Sequence, residues 1–296
     1  MESGLYQRGH ANRIGGARKM KGVILAGGTG SRLLPLTQVT NKHLLPVYDR
    51  PMVYFPIECL KAAGIDEIMV VTGGPHAGEF FKLLRNGEAF GLKRLAYAYQ
   101  EGAGGIAQAL SLAERFIDGD SMCVILGDNL VGNSIAPIAQ RFREQGPGAR
   151  VLLHEVPDPE RFGVARFRDD SRSKIIEIIE KPKHPPTNLA VMGIYFYDSQ
   201  VFEICRGLKP SARGELEITD VNNAYIAKGQ LAHDYQQGWW IDAGTVESLL
   251  EASTTVSHYG ANQPVQTGYD VHVRPMVMPQ RRAPAWAPVA AASRAK

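Results

Sequence analysis

Apolar positions along this chain follow two rhythms. From residue 23 to residue 126, short β-branched runs alternate with longer stretches of helical period, the pattern of βαβ units around a largely parallel sheet. Residues 23–26 predict the first strand. Residues 51–63 predict a helix with proline near its start and Gly64 as its stop, and 65–72 a strand whose Ile-Met-Val-Val run suits burial on both faces. Helix 79–85, strand 94–99, helix 106–116 and strand 122–126 follow, the last ending abruptly in Gly127-Asp128-Asn129. From about residue 150 the spacing changes to strands separated by turns, at 150–156, 163–167, 175–180 and 191–197, which predict antiparallel or mixed additions. Helical period returns at 215–227, ahead of Trp239-Trp240-Ile241-Asp242. The whole predicts one α/β domain with a mixed, mostly parallel sheet over residues 20–258. Residues 1–19 lack any such pattern, and 259–296, rich in Pro and Ala, predict a disordered tail.

Composition narrows the class. A content of 44% hydrophobic and 21% charged residues can bury a core, which excludes disorder throughout. No run approaches the roughly 18 apolar residues of a membrane span, and Arg8, Arg13, Arg18 and Lys19 precede no apolar leader segment. Cys59, Cys123 and Cys205, odd in number and each in an apolar run, suggest buried thiols and a reducing, cytoplasmic setting. The net charge of +3 sits at the ends: residues 1–20 carry +3 and 261–296 carry +4, leaving −4 over 21–260. An acidic domain argues against nucleic acid as a partner. The eight histidines form no H-x-x-x-H or H-E-x-x-H pair, so zinc is not expected.

Chemistry concentrates at strand ends. The first strand runs into Gly27-Gly28-Thr29-Gly30-Ser31-Arg32, where backbone N–H groups can meet phosphates. The dinucleotide fingerprint fails at Leu33, and no Gly-Lys-Ser/Thr closes a P-loop. Glycines alone would make only a tight turn; Arg32 and Lys42 beside them suit a loop that wraps a polyanion. Asp128 follows one apolar strand and Asp242 another apolar stretch. Each alone could be a turn or cap, whereas two carboxylates at one sheet edge near a phosphate loop suit Mg²⁺. Gln100 ends a strand and Gly105 lies in the following Gly-rich turn, where an amide and bare backbone can address a base edge. Trp239 and Trp240 are expected to pack the sheet rather than stack on a base.

Five segments together, Gly22-Val-Ile-Leu-Ala-Gly-Gly-Thr-Gly-Ser-Arg-Leu33, Asn41-Lys-His-Leu-Leu-Pro-Val47, Leu126-Gly-Asp-Asn129, Glu180-Lys-Pro182 and Gly214-Glu-Leu-Glu-Ile-Thr-Asp220, closely resemble the sugar-phosphate nucleotidyltransferases. The resemblance spans about residues 20–255 and implies a Rossmann-like domain. It implies Mg²⁺-dependent transfer of a nucleotidyl group from dTTP to glucose 1-phosphate, giving dTDP-glucose and pyrophosphate. It makes Arg32, Lys42, Asp128 and Asp242 catalytic, with both aspartates on the metal. It puts Leu25, Ala26, Gly27, Gly28, Thr29, Gly30, Gln100 and Gly105 around the nucleotide. Asn129, Gly163, Glu180, Lys181, Tyr195 and Arg213 fall to the sugar phosphate. Relatives suggest a homotetramer or dimer. Longer members continue past the position matching Tyr259 with helices of a regulatory nucleotide site, so the Pro-rich tail implies the short form without it. His43 stands where relatives often carry Gln, which raises the expectation of pH-sensitive activity. Ala243 replaces a commoner Thr and leaves the carboxylate intact.

Rival readings stay open: UTP, CTP or GTP in place of dTTP, and a nucleotide-sugar sensor without turnover. An NAD-linked oxidoreductase is disfavoured by the failed fingerprint.

Overall fold

A computed structural model describes residues 19–265. The expectations for 1–18 and for 266–296 lie outside the described residues. Along the chain come β1 (Met20–Ala26), the two-residue pair β2 (Pro46–Val47) and β3 (Arg50–Pro51), α1 (Tyr54–Ala62), β4 (Glu67–Gly73), α2 (Ala77–Leu84) and β5 (Arg94–Gln100). Then follow α3 (Ile106–Ser111), α4 (Glu114–Ile117), β6 (Ser121–Leu126), β7 (Asn129–Val131), α5 (Ala136–Gln145), β8 (Ala149–Glu155), β9 (Gly163–Phe167), β10 (Ile175–Glu180) and β11 (Leu189–Tyr197). The domain closes with α6 (Val201–Gly207), α7 (Ile218–Ala227), β12 (Leu231–Tyr235), β13 (Trp240–Asp242) and α8 (Val246–Tyr259).

The central sheet has nine strands, and its heart is the parallel array β6-β1-β4-β5. β11 joins β6 antiparallel and carries β8 and β9 with it, so the sheet is mixed, as the sequence pattern predicts. β1 is buried end to end, and β6 up to its half-buried last residue Leu126, because helices cover both faces. Val23, Leu25 and Val124 pack beneath α3, α6 and α7, whereas Ile24, Val70 and Ile125 pack beneath α1, α2 and α5. A third cluster seats α8 on Leu33, Val47, Phe55 and Ile241.

Several boundaries move for physical reasons. Helix 51–63 begins only at Tyr54, because Arg50–Pro51 pairs with Pro46–Val47. Helix 106–116 breaks into α3 and α4. Helix 215–227 starts at Ile218, since Leu216 spends its backbone N–H on Gly104 and its carbonyl on Ala107. Residues 259–265, assigned to the tail by composition, include the end of α8 and a backbone return to β7 and the turn after it. Asn262 and Gln263 donate to the carbonyls of Val131 and Gly132, and the Asn262 side chain donates to Phe55. The three cysteines are free and buried. Among the described residues no helix is long and apolar enough to cross a membrane.

Candidate functional site

Parallel strands end on one edge, so β1, β5 and β6 deliver their carboxyl-terminal loops to the same place. There a cleft of about 370 Å³ is lined by Gly27, Gly28, Thr29 and Arg32 after β1, Gln100 and Gly105 around the end of β5, and Asp128 after β6. Leu25, Lys42, Asn129, Gly163, Glu180, Lys181, Tyr195, Arg213 and Asp242 also line it. Two of the named residues do not. Ala26 is wholly buried among the β1 contacts, and Gly30 shapes the loop instead, taking φ 67° and accepting from Thr37 Oγ1 at 2.9 Å.

The two aspartates meet through a strand pairing that periodicity could not reveal. β7 and β13 pair antiparallel, with Asn129 opposite Asp242, and the Ala243 N–H donates to the Asp128 carbonyl at 2.9 Å. Asp128 is buried, and its carboxylate holds the Lys42 ammonium at Oδ2 while Asn129 Nδ2 donates to Oδ1 at 3.1 Å. Burial, the largest single influence, would raise this carboxyl, but its neighbours, led by Lys42, together outweigh it and hold Asp128 well below the usual carboxylate range. Asp242 goes the other way. Burial and then the Asp128 charge push it up to about 6, against the pull of Lys42 and Arg32. Its Oδ1 is buried without a hydrogen-bond partner among the described residues. Asp242 and Arg32 both crowd the face of Gly244, where a Cβ would stand 2.7 Å from Oδ1 and 3.0 Å from the guanidinium.

Asn129 is 3% exposed and fully engaged, so its side chain orients Asp128. Its Oδ1 accepts from the Gly193 N–H at 2.9 Å and from the Trp240 indole at 2.8 Å, which leaves the amide nitrogen facing Asp128. Trp240 also packs on Phe162 with ring centroids 5.2 Å apart. Sequence reasoning missed this link, whose only trace was a Trp two positions before Asp242.

Toward the other end of the cleft, charges pair among themselves. Thr219 Oγ1 donates to Glu180 Oε2 at 2.7 Å, and Lys181 lies 3.1 Å from Glu180 Oε1. Arg213 donates to both oxygens of Glu217, at 2.9 and 3.0 Å. Lys181 takes the left-handed φ of 43°, rare for a side-chain-bearing residue, and is fixed there by its N–H bond to the Phe162 carbonyl. Glu217, Thr219 and Arg161 line the cleft without having been singled out from the sequence.

His43 corrects an expectation. Its ring is buried against Gly127, and its backbone N–H and Nδ1 both meet Asn41 Oδ1, at 2.9 and 2.8 Å. Burial, helped by Lys42, lowers its pKa from 6.5 to about 3, which keeps the imidazole neutral near pH 7. His43→Gln is therefore expected to leave the pH dependence of kcat/KM between about 6 and 9 unchanged. Stability should differ instead. The unfolded imidazole protonates near 6.5 and the folded one only near 3, so acidification through that window favours unfolding. Urea titrations at pH 7 and pH 4.5 should show the wild type losing more stability than the variant, and equal losses would contradict this burial effect.

The sequence matches the nucleotidyl transferase family over residues 21–258. It is 44% identical over 257 residues to a glucose-1-phosphate thymidylyltransferase of Neisseria meningitidis, covering 86% of each chain. It is 42% identical over 240 residues to one of Mycobacterium tuberculosis, covering 80% of this chain and 82% of that one. Among solved structures, a putative glucose-1-phosphate thymidylyltransferase from Bacillus anthracis in complex with sucrose superposes with TM-score 0.76 at 54% identity, over 79% of this chain and 94% of that one. A UDP-glucose pyrophosphorylase complexed with UDP-glucose superposes with TM-score 0.70 at 25% identity, over 81% and 99%. By the span of the family match and the identity to these relatives alike, this chain belongs to the nucleotidyl transferase family.

Proposed function

We propose that this chain transfers a thymidylyl group from dTTP to glucose 1-phosphate, releasing dTDP-glucose and pyrophosphate. The observation that carries the reading is the meeting of Asp128, Asp242, Lys42 and Arg32 at the mouth of the Gly27–Gly30 loop. The names of the relatives supply the substrates.

Electrostatics decides what such a site must do. A nucleoside triphosphate and a sugar phosphate bring about six negative charges together, and one unit pair at about 4 Å costs roughly 4 kcal/mol at an effective dielectric near 20. Arg32 and Lys42 on the nucleotide side, and Lys181 and Arg213 on the sugar-phosphate side, offset that repulsion. The orphaned Asp242 oxygen beside the ionised Asp128 fits a divalent cation, which these two carboxylates would hold as Mg²⁺. When bound, the cation neutralises triphosphate charge, including that gathering on the departing pyrophosphate.

The remaining steps belong to the chain. Lys42 orients the α-phosphate, while Lys181 and Arg213 hold the sugar phosphate, for which Arg213 exchanges Glu217. Glu180, Gly163 and Tyr195 bound the sugar. The phosphate oxyanion attacks the α-phosphorus in line, its new P–O bond forming as the bond to pyrophosphate breaks. It is already ionised near neutral pH, so no general base is required. Neutral, enclosed His43 accords with that.

Pyrophosphate release with glucose 1-phosphate, Mg²⁺ and each of dTTP, UTP, CTP and GTP tests the reading. Release fastest with dTTP is expected; preference for UTP would move the nucleotide, and no release with any pair would leave a sensor. Because a proton on Asp242 competes with the cation, Mg²⁺ affinity should weaken as pH falls below about 6 and level off at higher pH.

A further inference from the structure

Gln100 reaches into the cleft with an amide whose polarity is set by its neighbours. Its Nε2 donates to the Gly105 carbonyl at 3.2 Å and to Gln108 Oε1 at 2.8 Å. The Gly105 carbonyl can only accept, so the amide cannot be turned over without setting two acceptors face to face. That carbonyl also serves the Ala109 N–H at 3.2 Å, which leaves Gln108 the closer partner. Both N–H groups of Gln100 are thereby consumed, and Oε1, lying against Gly27, is the atom left for a ligand.

Two bare backbones make room for this arrangement. A Cβ on Gly27 would collide with Gln100 Oε1, and one on Gly104 with the amide of Gln108. Gly105 takes φ 94°, and its N–H has no hydrogen-bond partner among the described residues. The cleft wall thus offers an acceptor, Gln100 Oε1, and a donor, the Gly105 N–H, a few residues apart in chain and on one surface.

We infer that Gln108 is a positioning residue for base selection: together with the Gly105 carbonyl, it holds the Gln100 amide in one polarity and makes the site read a ring N–H next to a carbonyl. Thymine and uracil carry that edge at N3–H and O4. Cytosine carries the inverse, a bare N3 beside an amino group, and would set acceptor against acceptor and donor against donor. A site built to hydrogen-bond one pattern rejects the inverse steeply, because its own polar groups are left unpaired. The inference rests on the reading that a nucleotide occupies this cleft, and adds that the discrimination is strengthened by a residue outside the cleft lining.

Calorimetric binding of dTDP and CDP in the presence of Mg²⁺ tests it. The wild type is expected to favour dTDP by about a hundredfold or more. Gln108→Leu, which removes the acceptor, should narrow that ratio by about tenfold. Gln108→Glu, which keeps an acceptor, should hold the ratio near the wild-type value, a rescue that mere packing would not give. Gln108→Asn withdraws the oxygen by one methylene and supplies the same contrast should the leucine variant fail to fold. A ratio in Gln108→Leu or Gln108→Asn within twofold of wild type, or wild-type binding of CDP as tight as dTDP, would overturn the inference. Intact dTDP preference without pyrophosphate release would count against the transferase reading alone.

Discussion

Asp242→Asn is expected to lose at least about a thousandfold in turnover while making the metal-free protein harder to unfold. The two effects share one cause. In the ligand-free cleft the Asp242 carboxylate faces Asp128, is desolvated, and has an oxygen with no partner among the described residues. Neutralising it removes a destabilising charge, worth about 1–2 kcal/mol or a rise of about 3–6 °C in Tm. The sign follows from the raised carboxyl. Folded Asp242 titrates near 6 and an unfolded aspartate near 3.8, so ionisation opposes folding above that window and not below it. Thermal unfolding in EDTA should therefore show the gain at pH 7.5 and lose it by pH 4. An active Asp242→Asn enzyme, or one destabilised at pH 7.5, would contradict the assignment.

Lys42→Met is expected to fail in both respects. Turnover should fall by about a thousandfold, because the cation proposed to meet the α-phosphate is gone. Stability should fall too, since Asp128 is buried and Lys42 is the counter-charge that keeps it ionised. Breaking a buried pair from one side costs about 3–5 kcal/mol, far more than an exposed pair is worth. The double variant Lys42→Met/Asp128→Asn should recover most of the lost Tm, and none of the turnover. A double variant no more stable than Lys42→Met would show that the two charges are not energetically linked.

The contrast between these two positions explains what could be read from sequence. Burial on both faces left β1, β4 and β6 as largely apolar runs, so the parallel heart of the sheet and its cleft-bearing edge were legible. Residues at strand ends, such as Gln100 and Asp128, inherited that legibility. Short or stitched elements did not. β7 and β13 are three residues each, too brief for any period, yet their pairing is what brings Asp242 to Asp128. α5, α6, β12 and α8 also went unread. α8 has a cap signal in Thr245 and Ser248, but Ser at the third helical position is a weaker sequence mark than Glu or Gln. His43 was misjudged because its titration depends on enclosure by Gly127 and Asn41, which spacing does not express.

The claim at the centre of this account is that Asp128 and Asp242 jointly hold the metal that brings polyphosphate into the cleft. Anomalous scattering from crystals grown with Mn²⁺ and dTDP-glucose tests it most directly. The account predicts a manganese peak within coordination distance of both carboxylates, absent from Asp128→Asn crystals. A peak elsewhere, or one that survives that substitution, would contradict it.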